Sequence, residues 1–496
     1  MTAGTIAGLL DECAAGRPTR PLLRDVAGET LTVSQVAELA SAAAGWLADA
    51  GVRPGMTVAW QLPSHVNAAL VMLALARMPV VQAPVLHLYR RREVCAAVDV
   101  ANADILLVDE STAANTVPGI PTVTVPCDFV RKLQTSPVAG AGPEASHSPG
   151  DPRWVYFTSG TTGRPKAVRH TDATLLSAAR GYTAHLGVGT HPREVGTIAF
   201  PIAHIGGMVY LATALLGDFP VVLIPKVSAD DLPRVLAEHR VTVTGASTAF
   251  YQMLLTAQFA APTTELLVPS LRMLIGGGAA CPPEVHKQVR EHLGIPIVHA
   301  YGMTEAPMIC VSEATDTDEQ LANSAGRPIP GSQVRIAANG EIELRGTNLT
   351  PGYLQHEQWA DALTADGWFR SGDRGYLRPD GRIVVTGRIK DLIIRKGENV
   401  APDEIENELL AHPLVDEIAV LGQPDELRGE LVCAVVRRSP RHRDVTLDEL
   451  CTFLDQRGLM KQKWPERLVL VDEFPLTGLG KVAKSELARQ ISGGTR

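Results

Sequence analysis

A glycine- and hydroxyl-rich segment has the composition best suited to chemistry on an anion. Residues 157–170 read FTSGTTGRPKAVRH and begin at the end of the strand-like run WVYF. Glycine lets the backbone close on a ligand, hydroxyls and amides donate hydrogen bonds to oxyanions, and lysine adds positive charge. A flexible surface turn is the alternative for this segment taken alone. The candidate phosphate-binding residues are Thr158, Ser159, Gly160, Thr161, Thr162, Gly163 and Lys166.

Common nucleotide-binding patterns do not describe this loop. A Walker A loop needs Gly-Lys followed by Ser or Thr, whereas Pro165 precedes Lys166 and Ala167 follows it. A dinucleotide-binding fingerprint is excluded because neither GAG at 140–142 nor GLG at 478–480 has the third glycine. The GxSxG and HExxH patterns are also absent from the sequence. The sequence therefore predicts a phosphate loop of another kind.

Four later segments define which kind. They are YGMTE at 301–305, WFRSGDRG at 368–375, GRIKDLIIRKGENVAPDEIE at 387–406 and PLTGLGK at 475–481. In order and spacing, these segments and the glycine-rich loop resemble the adenylate-forming enzymes, a superfamily of acyl- and aryl-CoA ligases, adenylation domains and luciferases. The resemblance covers nearly the whole chain and is closest to stand-alone acid:CoA ligases.

This resemblance implies a reaction in two halves. A carboxylate attacks the α-phosphate of ATP to give an acyl adenylate and pyrophosphate, and a thiol then displaces AMP. The first half needs charge neutralisation around the triphosphate and in-line positioning. ATP, Mg²⁺ and coenzyme A are the expected small-molecule partners, together with a carboxylic acid.

The resemblance also implies a role for each motif residue. Lys166 and its loop hold the β- and γ-phosphates, Thr304 contacts the α-phosphate, and Glu305 with Thr161 binds Mg²⁺, for which carboxylate and phosphate oxygens are suitable ligands. Lys481 contacts the substrate carboxylate and the α-phosphate during adenylation. The residues expected around the nucleoside and the acyl group are Tyr301, Gly302, Asp373, Arg388, Gly278, Ala279 and Ala280.

Two positions are expected to matter for the change between half-reactions. Lys390 matches the hinge about which the small domain of the family rotates, and a hinge needs only to absorb a backbone change. After that rotation Lys481 leaves the site, and the strand containing Gly397 approaches the thiol.

The acid pocket is expected to begin in PIAHIGGMVY at 201–210. His204 matches an aromatic or imidazole side chain near the substrate carboxylate; a structural histidine is the alternative. Amino-acid-activating relatives place an aspartate just after this position, whereas Ile205 and Gly206 follow here. The sequence thus predicts an apolar acid, of medium-chain, alicyclic or aryl type.

The sequence is compatible with two acyl acceptors, coenzyme A and a carrier protein. The sequence ends 15 residues after Lys481 without a carrier domain, so a carrier protein is expected to act only in trans. Coenzyme A is the simpler acceptor. The alternatives are a stand-alone adenylation enzyme that loads a carrier protein or another acceptor, and a catalytically silent nucleotide-binding homologue.

The elements that must position these residues follow from hydrophobic patterning. Short runs rich in Val, Ile and Leu alternate with helical periodicity, which predicts an α/β fold of doubly wound parallel sheets. The runs expected to form strands lie at 105–109, 221–225, 241–245, 271–277 and 295–302. QVRIAANGEIELRG predicts a β-hairpin within a β-rich subdomain. We expect a large N-terminal domain over 1–389, with subdomains of about 1–150, 151–332 and 333–389. A small mobile α+β domain over 390–496 completes the prediction.

Composition and charge exclude several other classes of protein. The 496 residues are 45% hydrophobic and 20% charged, as in globular proteins, and are too many for one small domain. A net charge of −8 gives no general attraction to nucleic acid. The longest apolar run, 68–76, is too short to span a membrane. Seven cysteines without a CxxC pair predict reduced thiols, and a start without a basic leader predicts a cytoplasmic protein. We expect a monomer or homodimer.

Overall fold

A computed structural model gives the architecture of the chain. It describes residues 3–135, 148–158, 165–245, 248–262, 265–277, 281–395, 398–425, 429–477 and 481–493. The strands, in chain order, are β1 (Pro21–Arg24), β2 (Thr30–Thr32), β3 (Thr57–Gln61), β4 (Val81–Pro84), β5 (Ile105–Val108), β6 (Thr122–Thr124), β7 (Pro152–Thr158), β8 (Lys166–Thr171), β9 (Gly196–Ile198), β10 (Val221–Leu223), β11 (Val243–Thr244), β12 (Met273–Gly277), β13 (Ile297–Tyr301), β14 (Cys310–Val311), β15 (Arg327–Pro328), β16 (Ser332–Ile336), β17 (Glu341–Gly346), β18 (Gly352–Tyr353), β19 (Phe369–Leu377), β20 (Ile383–Arg388), β21 (Ile393–Arg395), β22 (Glu398–Val400), β23 (Ile418–Asp425), β24 (Gly429–Arg437) and β25 (Arg467–Val471).

The helices complete the description. In chain order they are α1 (Ile6–Gly16), α2 (Val33–Asp49), α3 (Val66–Arg77), α4 (Arg91–Ala101), α5 (Phe129–Thr135), α6 (Asp172–Leu186), α7 (Ile205–Gly217), α8 (Leu232–Glu238), α9 (Thr248–Ala260), α10 (Pro283–Leu293), α11 (Asp318–Ala322), α12 (His356–Asp361), α13 (Pro402–Leu409), α14 (Leu447–Gln456) and α15 (Lys484–Gly493). Among the described residues no helix is both long and apolar enough to cross a bilayer.

Two large sheets form the N-terminal body. One has nine strands in the order β15-β14-β13-β12-β11-β9-β10-β1-β2, and the other has seven in the order β18-β8-β7-β4-β3-β5-β6. Their central strands are parallel, whereas β2, β8, β14, β15 and β18 join the edges antiparallel. Each sheet takes strands from before and after residue 150, because β1 and β2 complete one and β7, β8 and β18 complete the other.

The main core explains why some helices are apolar on every side. Helices α2, α3, α6 and α7 contribute to one hydrophobic cluster that also contains strand residues from both large sheets. In α3 every residue from Ala68 to Arg77 is buried, and in α7 every residue from Ile205 to Leu215. A helix covered all round must be hydrophobic all round. The apolar run at 68–76 is therefore a core helix.

Two smaller sheets follow. The antiparallel sheet β16-β17-β19-β20 begins with the predicted hairpin, in which β16 pairs with β17. The last sheet has the order β22-β21-β24-β23, with β25 parallel to β24, and helices α13 and α14 pack on it around a separate apolar cluster. The predicted α/β class, with its β-rich part and smaller C-terminal part, is confirmed. The division at residues 389 and 390 stays a prediction.

Candidate active site

The YGMTE segment forms a tight loop at the carboxyl end of β13. A β-carbon on Gly302 would lie 2.8 Å from the Met308 amide nitrogen, so the loop closes without room for a side chain there. Met303 and Ala306 exchange two backbone hydrogen bonds of 3.2 Å. This turn places Thr304 and Glu305 at its tip, between β13 and β14. Carboxyl ends of parallel strands are the usual ligand-binding edge of such sheets.

A buried histidine fixes the Thr304 backbone. The Nε2 atom of His170 lies 2.8 Å from the Thr304 carbonyl oxygen, and Nδ1 lies 2.9 Å from the Thr174 hydroxyl oxygen. Burial lowers the pKa of His170 to about 4, although the hydrogen bond to Thr304 opposes the shift. The ring is therefore neutral at pH 7, with Nε2 donating to the carbonyl and Nδ1 accepting from the hydroxyl.

Glu305 and Lys166 both contact one tyrosine, Tyr353, at its hydroxyl and at its ring face respectively. The Tyr353 hydroxyl donates to Glu305 Oε1 over 2.9 Å, and Lys166 Nζ lies 4.9 Å from the centroid of the same ring. Lys166 begins β8, where it pairs with Thr158 at the end of β7. The structure thus places the predicted phosphate lysine and the predicted magnesium ligand in one cluster with Thr304.

A second cluster lies on the β19–β20 pair. Asp373 and Arg388 are register partners, and Arg388 Nε lies 3.0 Å from Asp373 Oδ1. The Tyr301 hydroxyl donates to Asp373 Oδ2 over 2.7 Å. Asp373 is buried, and burial raises its pKa while Arg388, Tyr301 and Lys481 oppose the shift. The contact with Tyr301 ties this cluster to the end of β13.

Lys481 and His204 lie near enough to interact electrostatically. Burial, together with the smaller effect of the Lys481 charge, lowers the pKa of His204 to about 4. Desolvation lowers the pKa of Lys481, as does Arg388, while Asp373 opposes the shift. Lys481 is nevertheless exposed to solvent, which limits this lowering. The four side chains therefore share one electrostatic environment.

Local structure orients both of these residues. His204 caps α7, with Nδ1 accepting from the Gly206 amide over 3.2 Å, and its ring meets Phe200 edge to face at 6.4 Å. The Thr477 amide donates to the Lys481 carbonyl over 2.7 Å. The Lys481 amide donates back to the Thr477 hydroxyl over 3.2 Å.

The remaining predicted site residues are outside the described part of the chain. They are Ser159, Gly160, Thr161, Thr162, Gly163, Gly278, Ala279, Ala280 and Gly397. Gly277, at the end of β12, is the last described residue before the predicted adenine-binding stretch.

Glu305 is suited to Mg²⁺ in the presence of phosphate. No group of three or more His, Cys, Asp or Glu side chains suitable for a metal occurs among the described residues. A single carboxylate that shares the ion with phosphate oxygens and water is the usual arrangement for Mg²⁺ at nucleotide sites. Glu305 fits this arrangement, because only its Oε1 atom is used by Tyr353.

Sequence reasoning missed two residues of this site. His170 ends the glycine-rich segment and lies four residues after Lys166 on β8, hence on the same face of the strand. That spacing could have identified His170 as part of the site. No sequence pattern pointed to Tyr353, because its two-residue strand joins β8 only through the tertiary fold.

Comparison with known proteins identifies the family. Residues 10–354 match the family described as AMP-binding enzyme, and residues 404–481 match the AMP-binding enzyme C-terminal domain. The chain therefore belongs to the AMP-binding enzyme family, and the predicted superfamily is confirmed.

Its relatives are CoA ligases. The chain is 28% identical to the oxalate–CoA ligase of Arabidopsis thaliana, covering 99% of both chains. It is also 28% identical to the medium-chain fatty-acid–CoA ligase of Escherichia coli, covering 98% of this chain and 90% of the relative. The o-succinylbenzoate CoA synthetase of Bacillus subtilis, solved with its acyl-adenylate intermediate, is 27% identical with a TM-score of 0.85, covering 97% of both chains. The same synthetase solved with ATP and magnesium gives 0.83, at 27% identity and 97% and 98% coverage.

Proposed function

We propose that this chain is an AMP-forming acid:CoA ligase that activates an apolar carboxylic acid with ATP and transfers the acyl group to coenzyme A. The observation that supports it best is that the Arg388–Asp373 ion pair, Lys481 and His204 lie near enough for Lys481 to interact electrostatically with each of the others. These side chains come from four separate segments of the chain. Charged and titratable side chains from four segments have no reason to meet in this way without a shared role.

The two clusters suggest how ATP is held. Asp373 accepts hydrogen bonds from the ribose hydroxyls while Arg388 keeps it ionised, which offsets the rise that burial gives its pKa. Thr304 and Lys166 donate to the phosphates. When bound, Mg²⁺ neutralises phosphate charge, and Glu305 is the side chain that holds it.

Lys481 and His204 are suited to the reacting centre. The Lys481 ammonium donates to the developing negative charge on the carboxylate and α-phosphate oxygens, where a preorganised donor is worth most. His204 stays neutral at pH 7, because its pKa lies near 4. A neutral imidazole beside the carboxylate guides the acid without forming a competing ion pair with it.

The acid pocket supports the predicted substrate class. Ile205 and Gly206 are buried immediately after His204, and the Phe200 ring lies beside them. This edge offers no carboxylate to pair with an α-ammonium group. We therefore propose a medium-chain, alicyclic or aryl acid. Oxalate, the acid in the name of the Arabidopsis relative, is less suited to such a lining.

The second half-reaction requires a domain rotation in this proposal. We propose that residues 1–389 and 390–496 are the two domains and that Lys390 is the hinge. Lys390 is exposed in a single turn of 3₁₀-helix at Ile389–Asp391, which separates β20 from β21. An exposed connector can change its backbone angles without disturbing a core. Gly397 then approaches the thiol.

Pyrophosphate release tests the proposal. The purified chain is incubated with Mg·ATP and single acids of short, medium-chain, alicyclic, aryl and amino type, with and without coenzyme A. We expect release with one apolar class, turnover only with coenzyme A, and a thioester product. Acid-dependent release that coenzyme A does not accelerate would favour loading of a carrier protein or another acceptor. ATP binding without release by any acid would favour a silent homologue. The cytoplasmic location and the oligomeric state stay predictions.

A further inference from the structure

Tyr353 occupies the space between the phosphate lysine and the carboxylate proposed to hold Mg²⁺. Its side chain is 2% exposed. One edge of the phenol, the hydroxyl, donates to Glu305 Oε1 over 2.9 Å, and the ring face lies 4.9 Å from Lys166 Nζ. Because an ionised carboxylate oxygen can only accept, the hydroxyl is the donor in this hydrogen bond.

The fold fixes this ring independently of any ligand. Tyr353 pairs with Val168 in the β18–β8 ladder, and its ring meets the Trp359 ring edge to face at 5.7 Å. The preceding turn also holds the carboxylate's own backbone, since the Thr350 amide donates to the Glu305 carbonyl over 2.8 Å. The tyrosine and the glutamate are thus positioned by the same short segment.

We propose that Tyr353 is a positioning residue that keeps Glu305 and Lys166 apart and directs each towards the triphosphate. The proposal rests on the proposed function, because it concerns the residues assigned there to Mg²⁺ and to phosphate. The structure describes no ion pair between Lys166 and Glu305, although both contact one ring.

Two physical effects support this role. The hydroxyl bond occupies Oε1 and fixes the Glu305 side chain, which leaves Oε2 free to meet a hard cation. The ring face attracts the Lys166 ammonium without neutralising it, as cation–π contacts do. Without the ring, the ammonium and the carboxylate are free to pair directly. The ammonium would then be unavailable to the phosphates and the carboxylate unavailable to Mg²⁺, so Mg·ATP would bind a partly neutralised site.

Tyr353→Phe separates the hydroxyl from the ring. We expect it to weaken Mg·ATP binding by about tenfold, in line with loss of a hydrogen bond to a charged group. Binding of ATP in EDTA should change less than twofold, because the phenyl face still orients Lys166. Tyr353→Leu removes the ring as well and should weaken ATP binding in both conditions. Calorimetric titration of the full chain with ATP, with and without MgCl₂, measures these affinities.

Two further variants make the experiment specific. Tyr156→Phe is the matched control, because Tyr156 is buried on β7 and its hydroxyl has no hydrogen-bond partner among the described residues. It should bind Mg·ATP like the wild type. In a Glu305→Gln background, Tyr353→Phe should add less than a twofold loss, since the carboxylate that it positions is gone.

The outcomes separate this inference from the proposed function. If the wild type binds Mg·ATP and releases pyrophosphate, but Tyr353→Phe has an unchanged Mg²⁺ dependence while folded, the positioning role is wrong. Equal losses by Tyr353→Phe with and without Mg²⁺ would also overturn it. If the wild type shows no Mg²⁺-dependent ATP binding at all, the proposed function fails first.

Discussion

The two sides of the candidate active site are built in different ways. Thr304 and Glu305 are held by hydrogen bonds from His170, Tyr353 and Thr350, all within the N-terminal body. In the described part of the chain, the Lys481 backbone bonds to Thr477 of its own segment, and the residue is exposed. Thr304 and Glu305 are therefore fixed by the N-terminal body, whereas Lys481 is fixed by its own segment.

This difference suggests a division of labour. Phosphate and metal positioning benefits from rigid support, because small displacements of charged groups are costly. A residue needed in only one half-reaction benefits from an attachment that can be broken.

Replacing Lys481 should give the largest effect. Lys481→Ala removes the ammonium from the reacting centre, so we expect acid-dependent pyrophosphate release to fall by about 10²-fold or more, as for loss of a preorganised oxyanion donor. Thioester formation from supplied acyl adenylate should be spared. Lys287→Ala, on the exposed face of α10, is the control. Equal losses in both half-reactions by a folded protein would contradict the two-sided site.

Asp373→Asn should give the next largest effect. It removes the charge that pairs with Arg388 and accepts from Tyr301. Charged hydrogen bonds contribute about 1.5–3 kcal/mol, so the Kd for ATP should rise about tenfold or more. Equilibrium binding of ATP and of pyrophosphate distinguishes ribose from phosphate recognition, since only ATP binding should weaken. Asp361→Asn, on exposed α12, should change neither, and a loss of pyrophosphate binding would argue against the ribose assignment.

Lys484→Met tests how the C-terminal segment is attached. Lys484 Nζ lies 2.7 Å from Glu406 Oε1 and 3.7 Å from Asp403 Oδ1, which joins α15 to α13. Removing it leaves the partly buried Glu406 charge without this cation, so the free energy of unfolding should fall by about 1–3 kcal/mol. Adenylation should fall a few-fold, because Lys481 lies three residues away.

Lys463→Met is the matched control for this change. Lys463 Nζ lies 2.6 Å from Oε1 of Glu404, which is on α13 like Glu406, but Glu404 is more exposed than Glu406. Chemical denaturation should therefore show a smaller loss for Lys463→Met. Similar losses for the two variants would remove the special role of the Lys484 pair.

His170→Gln should give the smallest effect at neutral pH and a clear one in acid. The pKa of His170 is about 4 in the fold, against 6.5 for an ordinary histidine. Between these values the unfolded chain binds a proton that the folded chain does not. Wild-type stability should therefore fall by up to about 3 kcal/mol as the pH falls from 6.5 to 4.

Glutamine keeps an amide donor for Thr304 and does not titrate. The variant should therefore lose part of this pH dependence, as measured by urea unfolding at several pH values. His356→Gln, on an exposed turn of α12, should keep the wild-type slope. An unchanged slope for His170→Gln would show that other groups control acid stability.

The sequence by itself determined the class of fold and the family. The runs at 105–109, 221–225, 241–245, 271–277 and 295–302 became β5, β10, β11, β12 and β13. These predictions succeeded because hydrophobic periodicity and motif order are local properties of the chain. The hairpin of β16 and β17 was predictable for the same reason, with Gly340 supplying a positive φ of 83° in its turn.

The tertiary structure decided which residues meet. Sequence spacing gave no sign that β1 and β2 complete a sheet formed by later strands, or that Tyr353 lies between Lys166 and Glu305. Such contacts depend on strand order and on how layers pack, and both are set by the burial of the whole chain. Local patterns therefore identified the chemical groups, whereas only long-range packing determined which charges are separated, which are paired and which stay exposed.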